Sequence, residues 1–453
     1  MKKITSRTIV CLFLALLLLI GTSFFIFRFV KYGGDWVSYP SNRHIYKNGV
    51  LKCGRILDRN GTVLAAYDDG WHYNDSKSIR EATLHSVGDP SGVIGTGAIS
   101  AFADKLTGYN LITGTSTMFS NGRDLYLTLD ADVCSTAYKA LNGHNGTVGV
   151  YNYKTGEIIC LVSSHSYDPR TKINPDDKAY DGVYINRLTA ESFAPGSTFK
   201  LITSMAAIEK IPDIESRTFT CTARKDFAGT VITCGKAHGR INFEEALNVS
   251  CNCAFAEIAT ELGSSVMKKY VGQAGLTNSY SINGLSTKRS SFDFDADGLG
   301  GLAWSGVGQG RDLVNPASMM IFCGAVANGG EAAIPQIIDY TAFREGVRYS
   351  IYIKHYTDEL INSQTAATLK SMMRSNVINN YGDKNFPNLN ICAKSGTAQS
   401  DGSTRDNAWF TGFLDDDNHP LAFIVLVEEG GAGASVAGPV ANKVLQQAVK
   451  AGY

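Results

Sequence analysis

Strand-like runs stand at both ends of residues 123–453, and the long stretch between them has a helical pattern. DLYLTLD (Asp124 to Asp130) alternates apolar and polar residues, as a half-buried strand does. TVGVYNYKTGEIICLVSS (Thr147 to Ser164) is two β runs joined by the turn residues Lys154-Thr155-Gly156. Near the other end, AWFTGFL (Ala408 to Leu414) and LAFIVLVEE (Leu421 to Glu429) are strands, and Val440 to Gly452 is a terminal helix. Between them, Phe199 to about Met373 reads as helical. A further helix is expected over ADVCSTAYKAL, with Val133, Ala137, Ala140 and Leu141 on one face. The strands have too few sequence neighbours to form a layer locally. One sheet assembled from distant segments, with helices packed on it, satisfies the pattern, which makes the fold α+β.

The N-terminal part has a different texture. Lys2, Lys3 and Arg7 precede Thr8 to Phe27, which is almost free of polar groups. A helix needs about 20 such residues to cross about 30 Å of hydrocarbon. Its end is rich in Phe24, Phe25 and Phe27, which suits an uncleaved anchor better than a cleaved signal peptide. The basic N-terminus favours the inside and places the remainder outside. Arg28 and Lys31 can snorkel at the far interface. Tyr32 to Leu51 reads as a linker, and GRILDRNGTVLAAY (Gly54 to Tyr67) as a hairpin turning at Asn60-Gly61. The expected organisation is a cytoplasmic tail at 1–7, a transmembrane anchor at 8–28, a small extended module at 29–122 and a large domain at 123–453. The formal net charge is zero, and no nucleic-acid-reading motif appears, so no nucleic-acid partner is expected.

Three short motifs occur in order, about 50 and 140 residues apart. Ser197-Thr198-Phe199-Lys200 follows the helix-entry residues Pro195-Gly196, and Leu201 to Glu209 is strongly helical. Residues at i and i+3 share a helix face, so the Lys200 amine and the Ser197 hydroxyl can meet. A serine hydroxyl is a weak nucleophile until a base takes its proton, and lysine serves only if burial or cations lower its pKa. Ser250-Cys251-Asn252 offers a second hydroxyl for proton relay and an amide that both donates and accepts. Lys394-Ser395-Gly396-Thr397 reads as an edge strand. Gly396 admits a substrate backbone, Lys394 adds positive charge, and the Ser395 and Thr397 hydroxyls can bind a carboxylate. The backbone N–H groups of Ser197 and Thr397 would form an oxyanion hole. Each motif alone is common; their order and spacing carry the signal.

The chain has ten cysteines. Cys221 and Cys234 flank a short hydrophilic loop, where free, partly buried thiols are expected over a disulfide. Cys251 and Cys253 form C-x-C, a poor zinc spacing with no second pair nearby in sequence, so no metal and no cofactor are expected. His165 and His238 read as structural. Glu244, Glu245 and Asn248 read as helix residues. Trp304 fits either the cleft or a packing role, and Gln309 and Arg311 are candidates for the active-site rim.

The motifs resemble those of class B penicillin-binding proteins, and the likeness extends through GRILDRNGTVLA, LTLDADVCSTAYKAL, KTGEIICLVSSHSYDP, NRLTAESFAPGSTFK, GVGQG, NPASMM, VANGG, KSGTAQ and WFTGF. Cys53-Gly54-Arg55 departs slightly from the family pattern. The resemblance implies a transpeptidase domain with a central, mostly antiparallel sheet flanked by helices. It implies a peptidoglycan D,D-transpeptidase that forms an acyl-enzyme on Ser197 and is inhibited by β-lactams. Lys200 would be the base and Ser250 the proton shuttle, with Asn252 and Thr397 holding the substrate amide and carboxylate. It also implies stem peptides and lipid-linked precursors as substrates, a SEDS-family glycan polymerase as partner, and a single-pass location in the cell membrane with the catalytic domain extracytoplasmic. The rival readings are a D,D-carboxypeptidase, a serine β-lactamase, and a non-catalytic β-lactam sensor or cell-wall scaffold.

Overall fold

In the computed structural model the described residues are 2–39, 41–115, 122–174, 176–343, 346–399 and 405–453. One helix, Lys2–Val37, contains the whole apolar run and continues into the stretch expected to be linker. It is long and apolar enough to cross a membrane, and none of its most apolar window is buried against the protein. The continuation has a packing cause. Gly33 and Gly34 let the last turns lie against Tyr109 and Asp104, where a Cβ would collide with the Tyr109 hydroxyl or crowd the Asp104 side chain.

Two sheets organise the remainder. The first has six strands in the order Arg348–Ile351, Ile338–Ala342, Asp124–Leu127, Arg55–Leu57, Val63–Tyr67, Trp71–Tyr73. The expected hairpin is present, with Gly61 at a φ of 84° in its turn. Strand Asp124–Leu127 does not join the catalytic sheet as its position suggested. It runs parallel to Arg55–Leu57, where Arg55 pairs with Asp124, and antiparallel to Ile338–Ala342, where Tyr126 stacks on Tyr340 at 4.3 Å. The small N-terminal sheet thus borrows strands from either side of the first two motifs.

The second sheet is fully antiparallel, in the order Ile391–Ala398, Asn407–Leu414, Leu421–Val427, Gly146–Asn152, Ile158–Ser164. Helices Gly433–Lys450 and Ala131–Leu141 pack against each other and against it, and Pro316–Ala327 packs on its central strands. Strands Asn407–Leu414 and Leu421–Val427 are buried along their whole length, which is why LAFIVLV is a continuous apolar run rather than an alternating one. The terminal helix begins at Gly433, ahead of the expected Val440, because the Gly433 N–H is bonded to Thr397 Oγ1.

The middle is less helical than its pattern suggested. Helices Lys200–Lys210, Asn252–Leu262, Ser264–Gln273 and Ser363–Asn376 are present. Between the first two, strand Thr218–Cys221 pairs with Gly239–Asn242 and Arg224–Phe227 with Thr230–Thr233. Glu244, Glu245 and Asn248 lie on the short helix Phe243–Asn248, opened by a capping box between Asn242 and Glu245.

Candidate active site

The nucleophile segment is built by two glycines. Gly196 has a φ of 53°, and a Cβ there would meet the Thr397 carbonyl oxygen at 2.5 Å and its nitrogen at 3.1 Å. On the facing strand, a Cβ at Gly396 would meet the Pro195 carbonyl at 2.6 Å. Only backbone fits between the two segments, so the peptides of Ser197 and Thr397 come side by side. Ser197 lies in a 3₁₀ turn, Gly196–Phe199, that runs directly into helix Lys200–Lys210. It is half-buried, while Lys200 is fully buried one turn on.

Lys200 Nζ donates to the Ser250 carbonyl at 2.7 Å, to Ser250 Oγ at 3.1 Å and to Asn252 Oδ1 at 2.7 Å. These acceptors match the three N–H bonds of an ammonium. Lys394, also fully buried, donates to Ser250 Oγ at 3.2 Å and to the Ser395 carbonyl at 2.9 Å. One hydroxyl therefore bridges two lysines. Ser250 can occupy that position because it sits between helices with a φ of 54°. Burial, and then the neighbouring Lys394 ammonium, hold Lys200 well below the ordinary lysine range. Burial brings Lys394 down to about 7. At neutral pH such a pair releases a proton readily, so a lysine here can act as a base.

Above this polar layer lies a cavity of about 190 Å³ lined by Ser197, Thr233, Asn252, Trp304, Val307, Gln309, Thr397, Gln399 and Asp406. Asn252 forms part of its wall and donates from Nδ2 to the Thr233 carbonyl at 2.8 Å. Thr397 lines the far side, and Gln309 Nε2 donates to its carbonyl at 3.2 Å. Trp304 and Gln309 thus take the cleft positions considered for them, whereas Arg311 pairs with Asp297. The motif strand is the edge of its sheet, as expected.

Ser395, expected among the substrate-binding residues, lines a separate hollow of about 540 Å³ shared with Tyr381. The Tyr381 hydroxyl donates to Ser395 Oγ at 2.8 Å and accepts the Ser395 N–H at 2.7 Å. Tyr381, Thr233 and Asp406 were not visible from sequence. They lie outside the motifs and reach the site only through chain folding, whereas Gln399 closes the KSGTAQ segment.

The C-x-C of Cys251 and Cys253 has no second pair nearby in sequence, but the two hairpins of the middle region carry Cys221 and Cys234 to it. The Cys221 and Cys234 sulfurs stand 3.7 Å apart.

Residues 146–446 match the family described as the penicillin binding protein transpeptidase domain. The chain is 26% identical over 371 residues to the peptidoglycan D,D-transpeptidase PbpA of Mycolicibacterium smegmatis, covering 74% of this chain and 75% of that protein. Stage V sporulation protein D of Bacillus subtilis is 26% identical over 73% of this chain and 54% of its own length. In fold, the chain is similar to penicillin-binding protein A of M. tuberculosis in its penicillin G acyl-enzyme complex. That match has a TM-score of 0.76 and 23% identity, covering 88% of this chain and 99% of that one.

Proposed function

The chain belongs to the penicillin-binding protein transpeptidase family, whose members include serine D,D-transpeptidases, and on that premise we propose that Ser197 is its nucleophile in cross-linking peptidoglycan stem peptides. The observation that carries the residue assignment is the Ser250 hydroxyl held between two buried, easily deprotonated lysines beneath the cavity lined by Ser197.

In this reading neutral Lys200 takes the Ser197 proton as Oγ attacks the carbonyl carbon between two terminal D-alanines. The C=O electron pair moves onto oxygen, and the Ser197 and Thr397 N–H groups stabilise that oxyanion. When the tetrahedral intermediate collapses, the C–N bond breaks. The departing D-alanine amine receives the proton through Ser250 Oγ, which touches both lysines. The amine of a second stem peptide then attacks the ester, returns a proton along the same relay and frees Ser197. Asn252 orients the peptide bond, and Thr397 holds the terminal carboxylate. A β-lactam enters the first half of this sequence and stops as an ester on Ser197. Helix Lys2–Val37 anchors the enzyme, with the catalytic domain outside the cell membrane and a SEDS-family polymerase supplying glycan strands.

The test is labelling with a fluorescent penicillin and mass spectrometry of the adduct. A stable adduct on Ser197, absent in Ser197→Ala, is expected, along with cross-linked dimers when an acceptor peptide is supplied. An adduct elsewhere would overturn the assignment of the nucleophile. D-Alanine release without dimers would overturn transpeptidation in favour of hydrolysis.

A further inference from the structure

One cluster of nucleophilic side chains takes no part in the reaction above. Cys221 ends strand Thr218–Cys221, and Cys234 follows strand Thr230–Thr233. Cys251 precedes helix Asn252–Leu262, and Cys253 lies in its first turn. The Cys234 sulfur is 3.7 Å from that of Cys221, 3.8 Å from that of Cys251 and 3.6 Å from that of Cys253. The ligand atoms of Cys221, Cys234, Cys251 and His238 all lie within 4.8 Å of one another. His238 Nδ1 is buried without a hydrogen-bond partner among the described residues.

These separations discriminate between chemistries. A disulfide needs sulfurs about 2.0 Å apart. Thiolates on a tetrahedral zinc ion, at Zn–S distances of about 2.3 Å, stand about 3.8 Å apart along each edge. The sulfur spacings around Cys234 fit the second case. Three thiolates and one imidazole also form a closed structural zinc set, with no position left for water. We propose that Cys221, Cys234, Cys251 and His238 bind one structural zinc ion, and that this ion braces the S-x-N motif of the active site. Cys253 stays a thiol beside the ion, directed at the Ile232 carbonyl at 3.8 Å. Binding releases three thiol protons to solvent and changes no oxidation state.

The position of the cluster gives the ion its consequence. Cys251 separates Ser250 from Asn252, and Cys253 follows Asn252. Cys234 is next to Thr233, whose carbonyl accepts the Asn252 amide at 2.8 Å. The same Asn252 accepts Lys200 Nζ at 2.7 Å through its other end. A metal holding Cys234 and Cys251 therefore clamps the hairpin and the motif loop together on both sides of Asn252. It acts by positioning and does not touch the reacting atoms. The proposal does not depend on which serine is acylated.

The full-length chain, purified in detergent with a thiol reductant, should contain one zinc per polypeptide by elemental analysis. Cobalt exchange should produce thiolate-to-cobalt charge-transfer bands and the visible spectrum of a tetrahedral site. Cys234→Ser and His238→Ala should each lower zinc content, while Cys253→Ser should retain it. Stripping the zinc with a chelator should slow penicillin acylation about 10-fold or more, and added zinc should restore it. The site is refuted if wild-type protein incubated with zinc sulfate and dialysed carries no zinc. It is equally refuted if peptide mapping finds a Cys221–Cys234 disulfide in the zinc-treated protein. Unchanged acylation by folded, zinc-free enzyme would overturn the bracing role, whatever the nucleophile proves to be.

Discussion

Replacing Lys394 with methionine tests the electrostatics of the lysine pair through stability, separately from catalysis. Lys394 is fully buried, and burial lowers its ammonium from the usual 10.5 to about 7. Between those values the unfolded chain carries a proton that the folded chain has released. Folding stability therefore climbs as pH rises through that window and is lowest below about 7. The separation of about 3.5 pH units corresponds to about 5 kcal/mol across the whole window, at about 1.36 kcal/mol per unit. Restricted to the interval from about pH 6 to pH 9, the same linkage amounts to roughly 2–3 kcal/mol. Methionine keeps the length of the side chain and removes the titration. Its lost bonds to Ser250 Oγ and the Ser395 carbonyl cost the same at both pH values and cancel from the comparison. Urea denaturation of wild type and Lys394→Met at the two pH values should show wild type gaining roughly 2–3 kcal/mol more than the variant as pH rises. Parallel stability profiles would refute the argument, because they would mean that the buried amine keeps an ordinary pKa in the fold.

Penicillin acylation should already be supported at neutral pH, well below the range in which an ordinary lysine loses its proton, because the base must be neutral and burial lowers Lys200; a stopped-flow pH profile that rises only above about 10 would contradict this. Gly196→Ala should abolish acylation and destabilise the fold by roughly 2–4 kcal/mol, since the new Cβ meets the Thr397 carbonyl at 2.5 Å in a left-handed conformation. Binding and melting assays would register both effects. Tyr381→Phe should cost about 1–3 kcal/mol, because it strips a partner from the Ser395 N–H; an unchanged melting temperature would show that water replaces the phenol. Ser250→Ala should slow acylation by about 10²–10⁴-fold, with the adduct still on Ser197, and a rate near wild type would remove Ser250 from the relay.

Much of the site was legible in the chain because its parts are local. A helix entry at Pro195-Gly196, an i,i+3 pair at Ser197 and Lys200, and a strand carrying Lys394 to Thr397 each follow from short-range geometry. The apolar helix and the Asn60-Gly61 hairpin were readable for the same reason. The membership of strand Asp124–Leu127 was not, because its alternation says only that it is a strand. Its partners were chosen by the fit of Arg55 to Asp124 and of Tyr126 to Tyr340.

Tertiary structure alone decided how the pieces meet. Ser395 and Thr397 look equivalent in the motif, yet the Ser395 hydroxyl is bonded to Tyr381 beside a separate hollow, while Thr397 lines the cavity and its hydroxyl accepts the Gly433 N–H. Four cysteines spread from 221 to 253 show no zinc spacing along the chain, yet Cys234 stands within 4 Å of the other three sulfurs. Residue type and local spacing determine what each group can do. Only long-range packing, which excludes water from Lys200 and Lys394 and closes hairpins onto a helix start, determines what each group touches.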